Sequence, residues 1–166
     1  MFSVGDHVIH PGQGLCTVIG FQDEPTPALV LQAGSGHGIT RLLYPVAAAE
    51  KNLRPPVSRE TALDVIGHFA SMTCDDYTDR NSGLEEAHFK AMVKRGVPDS
   101  VRVTKTMHER ISQAEQEHRK PSTYYARVLK EARRRSLEEL ACALGVDEDE
   151  VVRLFEEQGA PIPSAD

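Results

Sequence analysis

No stretch of this 166-residue sequence approaches the roughly 18 consecutive apolar residues that a membrane helix requires. Its opening, Met1 to Asp6, also lacks the basic and then apolar layout of a signal peptide, so a cytoplasmic protein is expected. Cysteine is scarce. Cys16, Cys74 and Cys142 are odd in number, far apart, and without a second cysteine at metal-ligand spacing. They argue against a disulfide framework or a zinc site and read as reduced, packed side chains. Gly-x-Ser-x-Gly, His-Glu-x-x-His and similar constellations are missing, so nothing pairs a nucleophile with a base or holds a metal-activated water. His7 and His10 lie three apart in a short β-branched segment, which points them to opposite faces and away from a shared metal. The expectation is a protein that is not an enzyme and has neither metal nor cofactor.

What is present is ordinary for a folded chain: 40% apolar and 27% charged residues. The length permits two small modules. The formal net charge of −6 is unevenly spread. Residues 1–89 carry five basic and eleven acidic residues, residues 90–135 thirteen and five, and residues 136–166 one and nine. A middle of net +8 between acidic ends is the asymmetry expected of one nucleic-acid-facing surface, although solvated basic helix faces would give the same count.

Residues 1–55 read as strands and turns. His7 to His10, Leu15 to Phe21, Ala28 to Gln32 and Ile39 to Tyr44 are short and rich in β-branched or apolar residues, separated by Pro11-Gly12-Gln13-Gly14, by Pro25 and Pro27, and by Gly34 to Gly38. The glycine-dense Gly34-Ser35-Gly36-His37-Gly38 lacks the lysine and following helix of a phosphate loop and reads as a hairpin loop. Val46 to Glu50 allows one helical turn, and Leu53-Arg54-Pro55-Pro56 a linker.

From Ser58 the apolar period changes to that of helices. The pattern predicts a helix after Ser58, a polar loop over 73–83, a helix over 84–94 closed by Gly96 and Pro98, and a helix capped by Asp99 or Ser100. A helix starting at Ser122 buries Tyr125, Val128, Leu129 and Ala132 and ends in Arg133-Arg134-Arg135. A terminal pair follows, over 136–144 and 147–157. The fold class is therefore α+β: a bent β-sheet or partial barrel, then an all-helical domain over 58–158 and a flexible tail over 159–166.

The terminal pair, with Ala141 at the crossing and Gly145 at the turn, resembles a helix-turn-helix, yet its second helix opens with acids at 147–150, which the phosphate-lined groove repels. The better DNA candidates are Lys90, Lys94 and Arg95 near one helix end, Arg102 and Lys105 on the next helix, and Arg119 and Lys120 at a turn. Cations gathered at helix ends and turns hold a phosphate backbone without reading sequence.

Phe2-Ser3-Val4-Gly5-Asp6-His7-Val8-Ile9-His10-Pro11-Gly12-Gln13-Gly14 resembles the opening of CarD-like transcription regulators and of the polymerase-interacting module of transcription-repair coupling factors. Leu43-Tyr44-Pro45-Val46 with Leu53-Arg54 is similar to the close of that module, and Ser122 to Ala132 to a helix start in the family's second domain. The resemblance implies a Tudor-like domain that binds the outer lobe of the RNA polymerase β subunit, with Gln13, Arg41 and Leu43 as contacts. It also implies a helical domain at the upstream edge of the open promoter bubble, so that the protein, expected as a monomer, modulates the open complex. Three positions depart from the pattern. The chain has no tryptophan, where the family carries a minor-groove wedge, and Glu85 and Glu86 stand near that place; Phe89 or Tyr77 could substitute, or belong to the core. Leu43 replaces a family arginine, with Arg41 two residues earlier on the same strand face. Tyr125 stands where the family helix has a capping-box glutamate. Two other functions remain open: a polymerase-binding module without productive DNA contact, and a helix-turn-helix repressor.

Overall fold

The computed structural model describes residues 1–34 and 38–165. The centre of the expected hairpin loop, residues 35–37, lies outside them. The chain divides into two compact units, Met1–Pro56 and Val57–Asp166. The fold is mixed: a four-stranded antiparallel sheet, open rather than closed into a barrel, and, among the described residues, six α-helices. None of these helices is long and apolar enough to cross a membrane.

In the first unit, β1 (His7–His10), β2 (Gly14–Gln22), β3 (Ala28–Ala33) and β4 (Thr40–Pro45) pair in sequence order. Alternation decides the two faces. Val8, Cys16, Val18, Leu29, Leu31 and Ala33 are buried with Ala49 and Leu53, the latter two supplied by and just after helix α1 (Val46–Asn52). The opposite face carries Thr17, Gln32 and Arg41 in one row of pairs and Val30 with Leu43 in the next. The first turn is built by His10, whose Nδ1 accepts from the amides of Gly12 at 2.9 Å and Gln13 at 3.0 Å. Gly14, at φ 86°, then leads into β2 in a conformation a side chain would strain. The β1 edge is covered by Arg54, whose carbonyl accepts from Ile9 at 2.7 Å. β4 is the other edge of the sheet among the described residues.

The second unit contains α2 (Arg59–His68), a 3-10 turn (Phe69–Ser71), α3 (Ser82–Arg95), α4 (Asp99–Gln116), α5 (Thr123–Leu144) and α6 (Glu148–Glu157). Ser58 caps α2 by accepting from the Thr61 amide at 3.1 Å, and Asn81 caps α3. α5 runs through the whole unit. Its first half buries Tyr124, Val128, Leu129 and Ala132 against Phe89, Met92, Val103 and Met107; its second half buries Leu137, Leu140 and Leu144 against Ile66, Phe69, Val101 and Phe155.

The helical unit corrects four expectations. The helix does not end at Arg133-Arg134-Arg135. Ala132, Arg135, Ser136 and Leu137 are all buried, nothing there breaks the helix, and Ser136 Oγ donates to Ser100 Oγ at 2.8 Å. The inward tyrosine is Tyr124, with Tyr125 only half-buried. Neither Asp99 nor Ser100 caps α4: its N-cap position is Pro98, Asp99 receives Arg95 Nε at 2.7 Å, and Ser100 is inside. The segment expected as a flexible tail is packed at least through Pro163, because Ile162 is buried in the second cluster and the Pro163 carbonyl accepts from Arg133 at 2.8 Å.

Candidate functional site

Arg41 and Leu43 alternate onto the same face of the edge strand, and both are exposed, Leu43 at 52% although it is apolar. An apolar and a cationic side chain on the edge strand suit a partner that adds main-chain hydrogen bonds along β4. Gln13 does not join them. It lies in the β1–β2 turn, on the far side of β2 and β3, so the three expected polymerase contacts form one pair and one separate residue.

The seven expected DNA contacts separate in the same way. Arg102 and Lys105 are occupied inside the unit. Lys105 Nζ donates to the carbonyls of Phe69 at 2.7 Å, Ala70 at 3.2 Å and Met72 at 2.7 Å, and sits over the Phe69 ring. Arg102 donates to the carbonyl and hydroxyl of Thr73. Arg110, one and two turns further along the same face of α4, donates to the carbonyls of Asp75 at 3.2 Å and Tyr77 at 2.6 Å. The cause is the chain from 69 to 81. It is mostly without regular structure, so its carbonyls need donors from elsewhere, and α4 supplies cations at the spacing of one helix face. Thr106 and Glu109 on that face receive the Asp75 amide and the Cys74 thiol. Burial, then the Glu109 carboxylate, push the Cys74 thiol up to about 11, which leaves it protonated and unreactive at neutral pH.

The exposed cations form a second arrangement that charge counting along the sequence missed. α3 and α5 run side by side in the same direction, as contacts at both ends show: Glu85 with Tyr124 and Glu86 with Arg127 at the start, the Val97 amide with Glu139 at the finish. Lys90 on α3 and Arg127 on α5 therefore meet at Glu86, with Lys94 one turn further along α3 and Lys130 about one turn further along α5, and all four are exposed. Glu86 bridges the two helices, taking Lys90 at 3.1 Å and Arg127 at 2.5 Å, and these two bonds hold its carboxyl below the usual carboxylate range. Arg95 pairs with Asp99, Arg119 with Glu117, and Arg134 with Glu131 and Glu138. Lys94, Lys120 and Lys130 make no ion pair among the described residues. The periodicity of 86, 90 and 94 against 127, 130 and 134 was readable, but which helices neighbour one another was not.

The terminal pair turns at Gly145, in the left-handed region at φ 67°, and Asp147 caps α6 by accepting from the Glu150 amide at 2.8 Å. α6 opens with Glu148, Asp149 and Glu150, and its arginine, Arg153, is committed to Glu150 and Glu157. Burial and then Glu138 raise the Glu148 carboxyl. An acidic first turn of this kind cannot enter a DNA groove favourably. Neither of the two aromatic residues considered in place of the missing tryptophan is available. Phe89 is fully buried, and Tyr77 stacks on His88 with ring centroids 4.0 Å apart. At the first turn of α3 the exposed large apolar side chain is Leu84, at 56%. No family model matches the chain, and no curated protein matches it.

Proposed function

We propose that this protein is a CarD-type, non-enzymatic regulator of bacterial transcription, whose N-terminal unit is a Tudor-like domain that binds the RNA polymerase β subunit and whose helical unit touches promoter DNA through its backbone. The observation that carries the first half is the open edge strand β4, with Arg41 and Leu43 exposed on one face, in a unit that begins with the family-like Phe2 to Gly14 segment. The second half rests on the exposed α3 and α5 cations Lys90, Lys94, Arg127 and Lys130, which replace the α4 cations of the sequence reading. A protein that holds polymerase and DNA together shifts the promoter equilibrium toward whichever complex offers both contacts, with no chemistry of its own.

The test of the first half is binding of the full chain to the isolated β-subunit lobe of a bacterial RNA polymerase. Saturable binding is expected, with Arg41→Glu weakening it about tenfold or more, as for a charge reversed at an interface rim or beyond. A folded chain that ignores the lobe sinks the reading. For the DNA half, a mixed-sequence duplex should bind with a steep salt dependence. Because each neutralised phosphate contributes about 0.9 to the slope, reversing Lys94 and Lys130 together should lower it by about 2. Lys105→Met should leave the slope unchanged, since that amine faces carbonyls and not solvent partners.

A specific observation favours a second reading. Two of the four cations assigned to DNA already hold a carboxylate, Lys90 and Arg127 with Glu86. That arrangement suits a polymerase-binding module without productive DNA contact, and absent duplex binding at low salt, with lobe binding intact, would select it.

A further inference from the structure

The turn between α4 and α5 borders an open recess of about 220 Å3 whose lining contains Arg110, Arg119 and Lys120, the hydroxyl-bearing Ser122 and Tyr125, the Gln113 amide, and no carboxylate. On a chain of net charge −6, a recess lined by three cations and neutral hydrogen-bonding groups is an unusual local field. The turn is fixed by its own backbone: His118 takes the left-handed conformation at φ 56°, and the Arg119 amide donates to the Ala114 carbonyl at 2.7 Å. Arg119 and Lys120 line the recess as exposed side chains, while Arg110 is held by Glu85 and by the carbonyls of Asp75 and Tyr77. The α5 helix begins at the same recess, and its N-cap Ser122 makes no side-chain cap hydrogen bond, so the hydroxyl is not committed to the helix. Lys120 makes no ion pair among the described residues, and the partner of Arg119 is Glu117, an exposed pair of the kind that is easily exchanged.

We propose that this recess is a receptor for one phosphoryl group. Three cations match the multiple charge of a phosphoryl oxyanion, and guanidinium, ammonium and hydroxyl donors match its several acceptor oxygens. The phosphoryl group can come from two sources, a nucleic-acid backbone or a free phosphate ion. The site goes beyond the DNA reading, because inorganic phosphate probes it directly.

The experiment is an amide NMR titration of the full chain with inorganic phosphate at constant ionic strength, balanced with chloride. Saturable shifts are expected at residues 119–125, with an apparent affinity lowered about tenfold or more by Lys120→Glu. Lys130→Glu, the same charge change further along α5, should leave the titration as it is. Lys120 is exposed, so its replacement leaves the packed clusters intact. Shifts that never saturate, or that are the same in Lys120→Glu, overturn the proposal. Adding a mixed-sequence duplex to the phosphate-loaded protein separates the sources: displacement assigns the site to backbone phosphate, and undisturbed phosphate assigns it to the free ion, each with the site upheld. Failure of the duplex to bind anywhere would count against the DNA reading and not against this site.

Discussion

Glu139→Ala is expected to destabilise the helical unit by about 3–5 kcal/mol, the cost of leaving a buried charge and buried amides without their partner. Glu139 is 2% exposed and sits in the second half of α5. One carboxylate oxygen accepts from the Val57 amide at 2.9 Å and the other from the Val97 amide at 3.2 Å. It thus fastens the residue that follows the Pro55-Pro56 linker and the residue between α3 and α4 to the same helix. Arg135, one turn earlier, is 6% exposed; burial pulls its guanidinium below the usual arginine value, and the carboxylates of Glu131, Glu138 and Glu139 oppose that pull. Removing Glu139 weakens this compensation as well. Small domains are stable by only about 5–15 kcal/mol, so the variant should be largely unfolded in urea concentrations the parent tolerates. Glu139→Gln keeps the shape and one acceptor oxygen and should lose about 1–2 kcal/mol. Urea unfolding followed by circular dichroism distinguishes the two variants; an alanine variant within about 0.5 kcal/mol of the parent, as at an ordinary surface site, would show that the carboxylate does not hold these amides.

What was legible in the sequence was what neighbouring residues decide. The four strands follow from alternation between Gly and Pro punctuation, and the start of α2 from Ser58 three residues before Thr61. The errors share a physical origin. Arg133-Arg134-Arg135 reads as a helix end because cations suit the negative end of the helix dipole, but Arg135 is buried in mid-helix, which only the packed fold decides. Arg102 and Lys105 looked like free cations because the carbonyls they satisfy belong to a loop 29 to 36 residues earlier. Glu139 carried no signal at all, since its amide partners lie 42 and 82 residues away. A composition of basic residues states how much charge a segment has. It does not state how much of that charge is spent on the segment's own backbone, and that division decides which lysines remain for a partner.

The second large effect is expected at Glu85, and it turns a position that looked like a defect in a DNA surface into a structural centre. Glu85 is 8% exposed in the first turn of α3, where the helix dipole favours a carboxylate. It receives the Tyr124 hydroxyl, Arg110 Nη1 at 3.3 Å and the Asp79 amide at 3.0 Å, joining α3, α4, α5 and the 73–81 loop. Glu85→Ala should lose about 3 kcal/mol, because the buried Tyr124 hydroxyl and the half-buried Arg110 lose their shared acceptor. Tyr124→Phe removes one hydroxyl and should lose about 1 kcal/mol. The double variant should lose less than the sum, since the hydroxyl's contribution depends on the carboxylate. Burial, then the bond to Glu85 and its charge, raise the Tyr124 phenol above its ordinary value of 10.0. A phenol raised in the folded state adds stability that is complete below pH 10 and is lost as pH rises beyond it. The parent should therefore weaken on the alkaline side of pH 10, and Tyr124→Phe should flatten that part of the profile. If the phenylalanine variant keeps the parent's alkaline slope, the hydroxyl is not the group that Glu85 holds. If both single variants are silent while Glu139→Ala is not, the unit is fastened through the second half of α5 alone, and the 73–81 loop depends on the α4 cations without Glu85.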